Sequence, residues 1–337
     1  MLAIAASRLG MHAHIFDPAE DAPAKDVAAF ATTADYTNQN ALVDFAQQVD
    51  VITYEFENIP TQALDVLETH RPIRPGRLAL ATSQDRLVEK EFLHSLDLAT
   101  APFRDITSQD SLTQALDEIG PKGILKTRRF GYDGKGQIRL DQDADLTTVM
   151  ADLSGSPAIL EGFVDFTHEV SVIAARSFDG AVACYDPGEN VHRDGILHTT
   201  RVPARLSAAQ RTDAVLIAAK ILNALDYVGV LGVELFVTGQ GLVVNEIAPR
   251  VHNSGHWTQN GCMIDQFEQH IRAVAGWPLG DGTRHSDIEM ENLIGSDMDA
   301  LDGLARDAGA ALHLYGKAVV KPGRKMGHVN RVLRSNG

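Results

Sequence analysis

The chain has 337 residues, 44% hydrophobic and 22% charged, with a formal net charge of −15. That length exceeds one compact core and predicts two or three domains of an ordinary globular protein. The acidic balance excludes an indiscriminate nucleic-acid binder, which needs a basic surface, while leaving room for local basic pockets. Cys184 and Cys262 lack zinc-type spacing, which suits core thiols in a reducing cytoplasm. No run approaches the ~18 apolar residues of a membrane helix. Met1–Ala6 is apolar but has no basic leader and stops at Ser7-Arg8, a poor signal peptide.

Residues 1–10 read as a helix, His12–Phe16 as a strand, 40–49 as a helix and Val51–Tyr54 as a strand. This alternation predicts a parallel sheet flanked by helices. His12 and His14 would share one strand face, but nothing completes a metal set, so both read as structural. With no strand or glycine-rich turn ahead of the helix at Met1, the chain reads as opening inside a βαβ unit, short of one strand and one phosphate loop. After the connector Arg71–Gly76, Ser83–Leu96 is expected as an amphipathic helix, with Ser83 its N-cap and Leu87, Val88, Phe92, Leu93 and Leu96 its apolar face. From Ile124 to about Phe236 the pattern is strands and turns with one helix, Ala208–Leu225. A small C-terminal unit follows Trp277-Pro278, with strands at Glu289–Ile294 and His313–Val320.

Lys126–Gln137 is a basic, glycine-rich loop after the short strand Gly123–Leu125, a composition that closes backbone amides around phosphate. Asp133-Gly134 alone would equally suit a hairpin turn. Ala158–Val164 is a strand that breaks at Glu161-Gly162, and Glu169 returns in the strand Glu169–Ile173. A break of this kind can read an adenine while a carboxylate takes ribose hydroxyls, although each Glu alone suits a solvated strand. Val228–Val237 is a Val-rich strand with Glu234 at its middle, joined through Gly239-Gln240-Gly241 to Leu242–Ile247. A three-residue loop there sets Glu234 opposite Glu246, with Cβ atoms about 5 Å apart, a repulsive pair unless both face solvent. A divalent cation, Mg²⁺ in particular, resolves such repulsion. Asn190–Gly195 and Ala248–Ser254 read as loops dense in donors (His192, Arg193, Arg250, His252, Asn253, Ser254), suited to an anion. Tyr315–His328 is a second basic cluster, or simply a solvated basic loop.

Together, a Lys after a short strand, a glycine loop, a Glu-x-x-Val hinge, a later Glu and a Glu…Asn-Glu pair resemble the ATP-grasp fold. Within it, Arg129–Gln137, Glu189–Leu197 and Asn245–Gln259 look like the N5-carboxyaminoimidazole ribonucleotide synthase family of purine biosynthesis, a match running from Met1 to about His328. The resemblance implies an α/β ATP-grasp fold: a truncated Rossmann-like N-terminal domain (1–80), an ATP-grasp domain (81–275) and a small C-terminal domain (276–337). It implies an ATP-dependent carboxylation of 5-aminoimidazole ribonucleotide by bicarbonate, through carboxyphosphate, in a cytoplasmic homodimer. ATP would be held by Arg86, Lys126, the loop Gly131, Tyr132, Asp133, Gly134, Lys135, Gly136 and Gln137, the hinge Glu161, Gly162, Phe163 and Val164, then Glu169, His192, Asn245 and Glu246. Glu234 and Glu246 would hold Mg²⁺. Asp133, Arg250, His252, Asn253, Ser254, Lys317 and Arg324 would surround bicarbonate and the ribonucleotide, with Arg250, Lys317 and Asp133 in the chemistry and Glu55 and Glu57 beside the nucleotide substrate. The departure is at the N-terminus, where family members begin with a strand and a Gly-Gly-Gly-Gln-Leu-Gly-Arg-Met-like loop and only Met1 corresponds. The alternatives are another ATP-grasp ligase, such as a formate-using glycinamide ribonucleotide transformylase or a biotin carboxylase, or a truncated nucleotide-binding relic.

Overall fold

The computed structural model describes residues 1–131 and 136–333. Its first part carries α1 (Leu2–Arg8), β1 (His14–Phe16), β2 (Phe30–Thr32), α2 (Gln39–Gln47) and α3 (Thr61–Glu68). β1 and β2 pair in parallel, with His14 opposite Phe30. Leu42, Phe45 and Ala46 of α2 and Ala63, Leu64 and Leu67 of α3 close over Ile52, Tyr54 and Ile73. Val51–Tyr54 is not a full strand. It makes one parallel bridge, Ile52 to Ile73. Pro72 and Pro75 flank that partner and have no N–H with which to extend a ladder.

α4 (Arg77–Ser83) and α5 (Arg86–Ser95) follow. Ser83 therefore ends one helix rather than starting the next; Asp85 caps α5 by accepting the Leu87 N–H at 3.0 Å. The apolar stripe expected on α5 is only half buried. Val88 is exposed, while Glu89 and Lys90 are buried with Leu93.

A small antiparallel sheet comes next, from β3 (Phe103–Ile106), α6 (Gln109–Ile119), β4 (Gly123–Thr127), β5 (Gln137–Leu140), α7 (Leu146–Asp152) and β6 (Ala158–Gly162), in the order β3-β6-β4-β5. Leu112 and Ala115 of α6 and Val149 of α7 cover Leu125, Leu140 and Leu160. α7 was not evident in the sequence; Asp145 starts it by accepting the Thr147 N–H.

The large sheet contains β7 (His168–Arg176), β8 (Val182–Cys184), β9 (Gly188–Arg193), β10 (Ile196–Val202), β11 (Gly229–Thr238), β12 (Gly241–Ala248), β13 (Ile288–Ile294), β14 (Ala310–Leu314) and β15 (Lys325–Val332). Their order is β12-β11-β7-β9-β10-β13-β15-β14, with β8 against β7. α8 (Ala208–Ala224), α9 (Thr258–Gly261), α10 (Gln266–Val274) and α11 (Leu301–Arg306) complete the elements. Strand alternation sends Val170, Val172, Leu231, Val233 and Leu235 to α8, where Ala214, Ala218, Ile221 and Leu222 receive them. Each such side chain contributes about 1.5–3 kcal/mol by burial. On the opposite face, Ile173, Ala175 and Val230 meet Phe267 and Ile271 of α10 and Ala5 and Ala6 of α1.

Two expectations are corrected in this sheet. Asn190–Arg193 is strand, not loop, turning into β10 through Asp194 and Gly195, both at positive φ (51 and 75), as a tight hairpin requires. The strand expected at His313–Val320 ends at Leu314, and the unexpected β15 pairs with it. The C-terminal strands form no separate sheet, since β13 continues the ladder of β10.

Candidate active site

The β11–β12 hairpin aligns its two acids by an unexpected route. Its loop is two residues, Gly239 and Gln240, because Thr238 faces Gly241. That register alone would carry Glu246 out of line with Glu234. A bulge at Asn245 inserts one residue and restores the pairing Glu234 to Glu246. Glu234 also faces Ser171 on β7, Glu169 lies two residues before Ser171, and Glu169 faces Asn190 on β9, two before His192. Period-2 alternation therefore collects Glu246, Glu234, Glu169 and His192 on one sheet face.

Their electrostatics differ. Burial, and then the charge of Glu246, push the Glu234 carboxyl up to about 7. Burial acts on Glu246 too, but Arg86, Lys126 and Lys90 outweigh it and hold Glu246 below the usual carboxylate range. His192 Nδ1 lies 3.2 Å from Glu169 Oε2, close enough for an ion pair but outside hydrogen-bonding geometry. Burial works against charge on His192; Glu169, Glu234 and Glu246 win and raise its pKa. Among the described residues, Glu169, His192 and Glu234 each bring one ligand-type atom within 4.8 Å of the others. Glu246 stands outside that group, on the Arg86 side. Two facing carboxylates, one of them disfavoured as an anion, are a donor set that a hard divalent cation fits.

The hinge is built from buried charge. Lys126 Nζ on β4 donates to Glu161 Oε2 on β6 at 2.9 Å, and Lys90 Nζ stands 3.6 Å from the same oxygen. Glu161 Oε1 is buried with no donor, a free acceptor of the kind an exocyclic amine of a base would fill. β6 stops at Gly162; Phe163 is exposed, with the Arg139 guanidinium 4.7 Å from its ring, and Val164 is half-buried. Gly136, at φ 70, and Gln137, opposite Lys126, open β5, and Gly131 accepts from Arg86 Nη2 at 3.4 Å. Tyr132, Asp133, Gly134 and Lys135 lie outside the described residues.

On the other side of the acids, Arg250 Nη2 donates to Glu57 Oε1 at 3.2 Å, and Glu55 lies within electrostatic reach of Arg250, Glu57 and Lys317. The Ser254 amide points at His252 Nδ1 at 3.4 Å, and the Ser254 hydroxyl is 2.8 Å from it. An amide can only donate, so Nδ1 accepts and Nε2 carries the proton, 3.4 Å from Glu234 Oε1. Burial holds His252 neutral at pH 7, so this contact orients Glu234 without pairing its charge. Asn253 has both amide atoms buried and unpartnered. Lys317 Nζ donates to the Lys325 carbonyl at 2.7 Å. Arg324 is not brought into this group. Its guanidinium turns to the Val319 carbonyl at 2.8 Å.

Three residues escaped the sequence reading. Gln84 donates to the Glu57 and Ile59 carbonyls and accepts from Arg129, joining the glycine loop to the Glu57 turn. Glu89 and Lys90 bind the backbone of β12. The available signal was their spacing, three and four residues after Arg86 on one helix face.

Residues 1–84 match the ribonucleotide synthetase preATP-grasp domain, 91–267 the ATP-grasp domain, and 289–337 the phosphoribosylaminoimidazole carboxylase C-terminal domain. The chain is 51% identical over 335 residues to N5-carboxyaminoimidazole ribonucleotide synthase of Brucella melitensis, covering 98% of this chain and 92% of that protein. It superposes with a TM-score of 0.95 on an ADP complex of N5-carboxyaminoimidazole ribonucleotide synthetase, at 39% identity over 98% of this chain and 89% of that one. The Aspergillus clavatus enzyme in complex with ADP and 5-aminoimidazole ribonucleotide gives a TM-score of 0.92 at 30% identity, covering 99% of this chain and 90% of that one.

Proposed function

Because the chain belongs to the N5-carboxyaminoimidazole ribonucleotide synthase family, we propose that its facing acids, hinge and anion loop divide one reaction between them. The protein is an ATP-dependent ligase that carboxylates 5-aminoimidazole ribonucleotide to its N5-carboxy product. The observation that carries the division is the buried, donorless Glu161 Oε1 on one side of Glu234 and Glu246, with the Arg250–Ser254 loop on the other.

Adenine sits at the hinge Glu161–Val164, its amine donating to Glu161, and Glu169 takes the ribose hydroxyls. Lys126, Arg86 and the loop from Gly131 to Gln137 neutralise the phosphates, and His192 and Asn245 border them. Glu234 and Glu246 would hold Mg²⁺, which when bound would neutralise phosphate charge. A bicarbonate oxygen attacks the γ-phosphorus as the bond to the ADP oxygen breaks, giving carboxyphosphate and ADP. Arg250 and Lys317 face that dianion as fixed cations. The exocyclic amine then attacks the carboxyl carbon, phosphate leaves, and the amine proton passes to it. Glu55 and Glu57 orient Arg250 and, with His252, Asn253 and Ser254, bind the ribonucleotide. The assembly is a cytoplasmic homodimer.

The test is ADP release. It is expected to require bicarbonate and to rise strongly with 5-aminoimidazole ribonucleotide, whereas formate with glycinamide ribonucleotide gives none. Turnover with the second pair alone would refute this reading in favour of the transformylase.

A further inference from the structure

β12 is the edge strand of the large sheet, and an edge leaves outward-pointing backbone groups that something must satisfy. Before the bulge a neighbouring segment does so: the Val244 N–H donates to the Ala99 carbonyl at 2.8 Å, and Thr100 bridges Val244 in parallel. At the bulge the outward parity changes, and past it no strand of the described residues follows. One face of α5 takes over. Lys90 Nζ donates to the Asn245 carbonyl at 2.6 Å, and Glu89 Oε1 accepts the Ile247 N–H at 2.7 Å. Arg86, on the same face, donates to the side chain of the residue between them, Glu246 Oε2, at 3.2 Å. Glu89 and Lys90 are 3% and 1% exposed, so neither bond competes with water.

We propose that Glu89 and Lys90 are positioning residues for Glu246: their side chains stand in for a missing edge strand and fix the bulged segment Asn245–Ile247 so that Glu246 faces Glu234. This deepens, and rests on, the reading of Glu234 and Glu246 as the cation-binding pair. Lys90 also stands beside Glu161, so the residue that fixes the cation carboxylate touches the hinge acid. Burial pushes the Glu89 carboxyl up to about 8, against the pull of Lys90, so at neutral pH it accepts the Ile247 N–H as a largely uncharged acid. An amide can replace it.

The variants are Lys90→Met, Glu89→Leu and Glu89→Gln, in the full chain. Losing one buried bond is expected to weaken Mn²⁺ binding in the presence of ADP, followed by electron paramagnetic resonance, about tenfold in Lys90→Met and Glu89→Leu. The KM for the ribonucleotide stays within about twofold. Glu89→Gln keeps the accepting oxygen and is expected to bind Mn²⁺ within about twofold of the parent. In ligand-free protein, exchange of the Ile247 amide quickens in Glu89→Leu and not in Glu89→Gln. Unchanged Mn²⁺ binding in folded Lys90→Met and Glu89→Leu overturns the proposal, as does an equal loss in ribonucleotide KM. Should Glu246→Gln leave Mn²⁺ binding intact, the cation reading fails instead, and Ile247 exchange still decides whether Glu89 holds the bulge.

Discussion

Glu234 and Glu246 occupy opposed positions on one hairpin, yet Gln at each has a different expected result. Glu246 answers Arg86, so Glu246→Gln strips a half-buried cation of its charged partner and is expected to lower the melting temperature of ligand-free protein. Glu234 is held at about 7 by burial and by Glu246, so its charge is a strain that Glu234→Gln removes. The folded pKa lies above the ordinary value of 4.5, so the folded state holds the extra proton between the two. The contribution of Glu234 to stability therefore falls as pH rises through that window. Glu234→Gln is accordingly expected to melt a few degrees above the parent at pH 8 and level with it near pH 4.5. Melting curves at both values check this; equal shifts at both would refute it. The facing of these acids was legible from the sequence, but its mechanism was not. A two-residue turn plus a bulge gives the same pairing as a three-residue turn, and no residue type announces a bulge at Asn245.

At the scale of elements, three histidines join the C-terminal strands to the segment before α9. The rings of His313 on β14 and His328 on β15 stack 4.6 Å apart, and His256 lies 4.6 Å from His328 on its other side. Tyr315 Oη, Asn260 Oδ1 and Gln266 Nε2 partner His328, His313 and His256 in turn. Burial comes first for both and depresses His256 and His328 far below 6.5; His252, His313 and Lys325 add to it at His256, and His256 and His313 at His328. His313 falls by burial, with Asp265 opposing. Folded values below the unfolded value mean that stability is full above about 6.5 and is lost as pH falls below it, at about 1.4 kcal/mol per pH unit for each group titrating. Thermal melts from pH 7.5 to 5.5 are expected to drop steeply, and His328→Gln to flatten the slope. A parent melt independent of pH across that range would exclude the stack as its source. Sequence periodicity found β13 here but stopped β14 late and missed α9, α10, α11 and β15. In Lys325–Val332 the polar His328 and Asn330 are fully buried, so hydropathy carried no signal.

Across the whole molecule, the first unit is tied to the sheet by bonds between residues far apart in sequence. His270 Nδ1 accepts the Val230 N–H at 3.1 Å, so Nε2 carries the hydrogen and donates to Thr53 Oγ1 at 2.7 Å. Arg74 donates to the Val274 carbonyl at 2.8 Å, and Arg8 to Asp265 and Glu268. Thr53 lies two residues before Glu55, and Thr53→Val keeps its shape while removing the acceptor. We expect a loss of about 1 kcal/mol in stability and a raised KM for the ribonucleotide with that for ATP unmoved. Steady-state kinetics against each substrate separates these outcomes, and equal changes in both KM values would refute the placement of Glu55. The layered α/β plan was legible because period and punctuation are local; Glu89, Lys90 and Gln84 were not, because their partners lie in other elements. α5 has a mechanical consequence. Through Lys90 it touches β6 of the small sheet at Glu161 and β12 of the large sheet at Asn245, so any rocking of one sheet on the other would turn about it. Displacement grows with distance from an axle. A nucleotide seated at Glu161, as proposed above, would be gripped where such a lever moves least, while β5, two strands from β6, would sweep a longer arc.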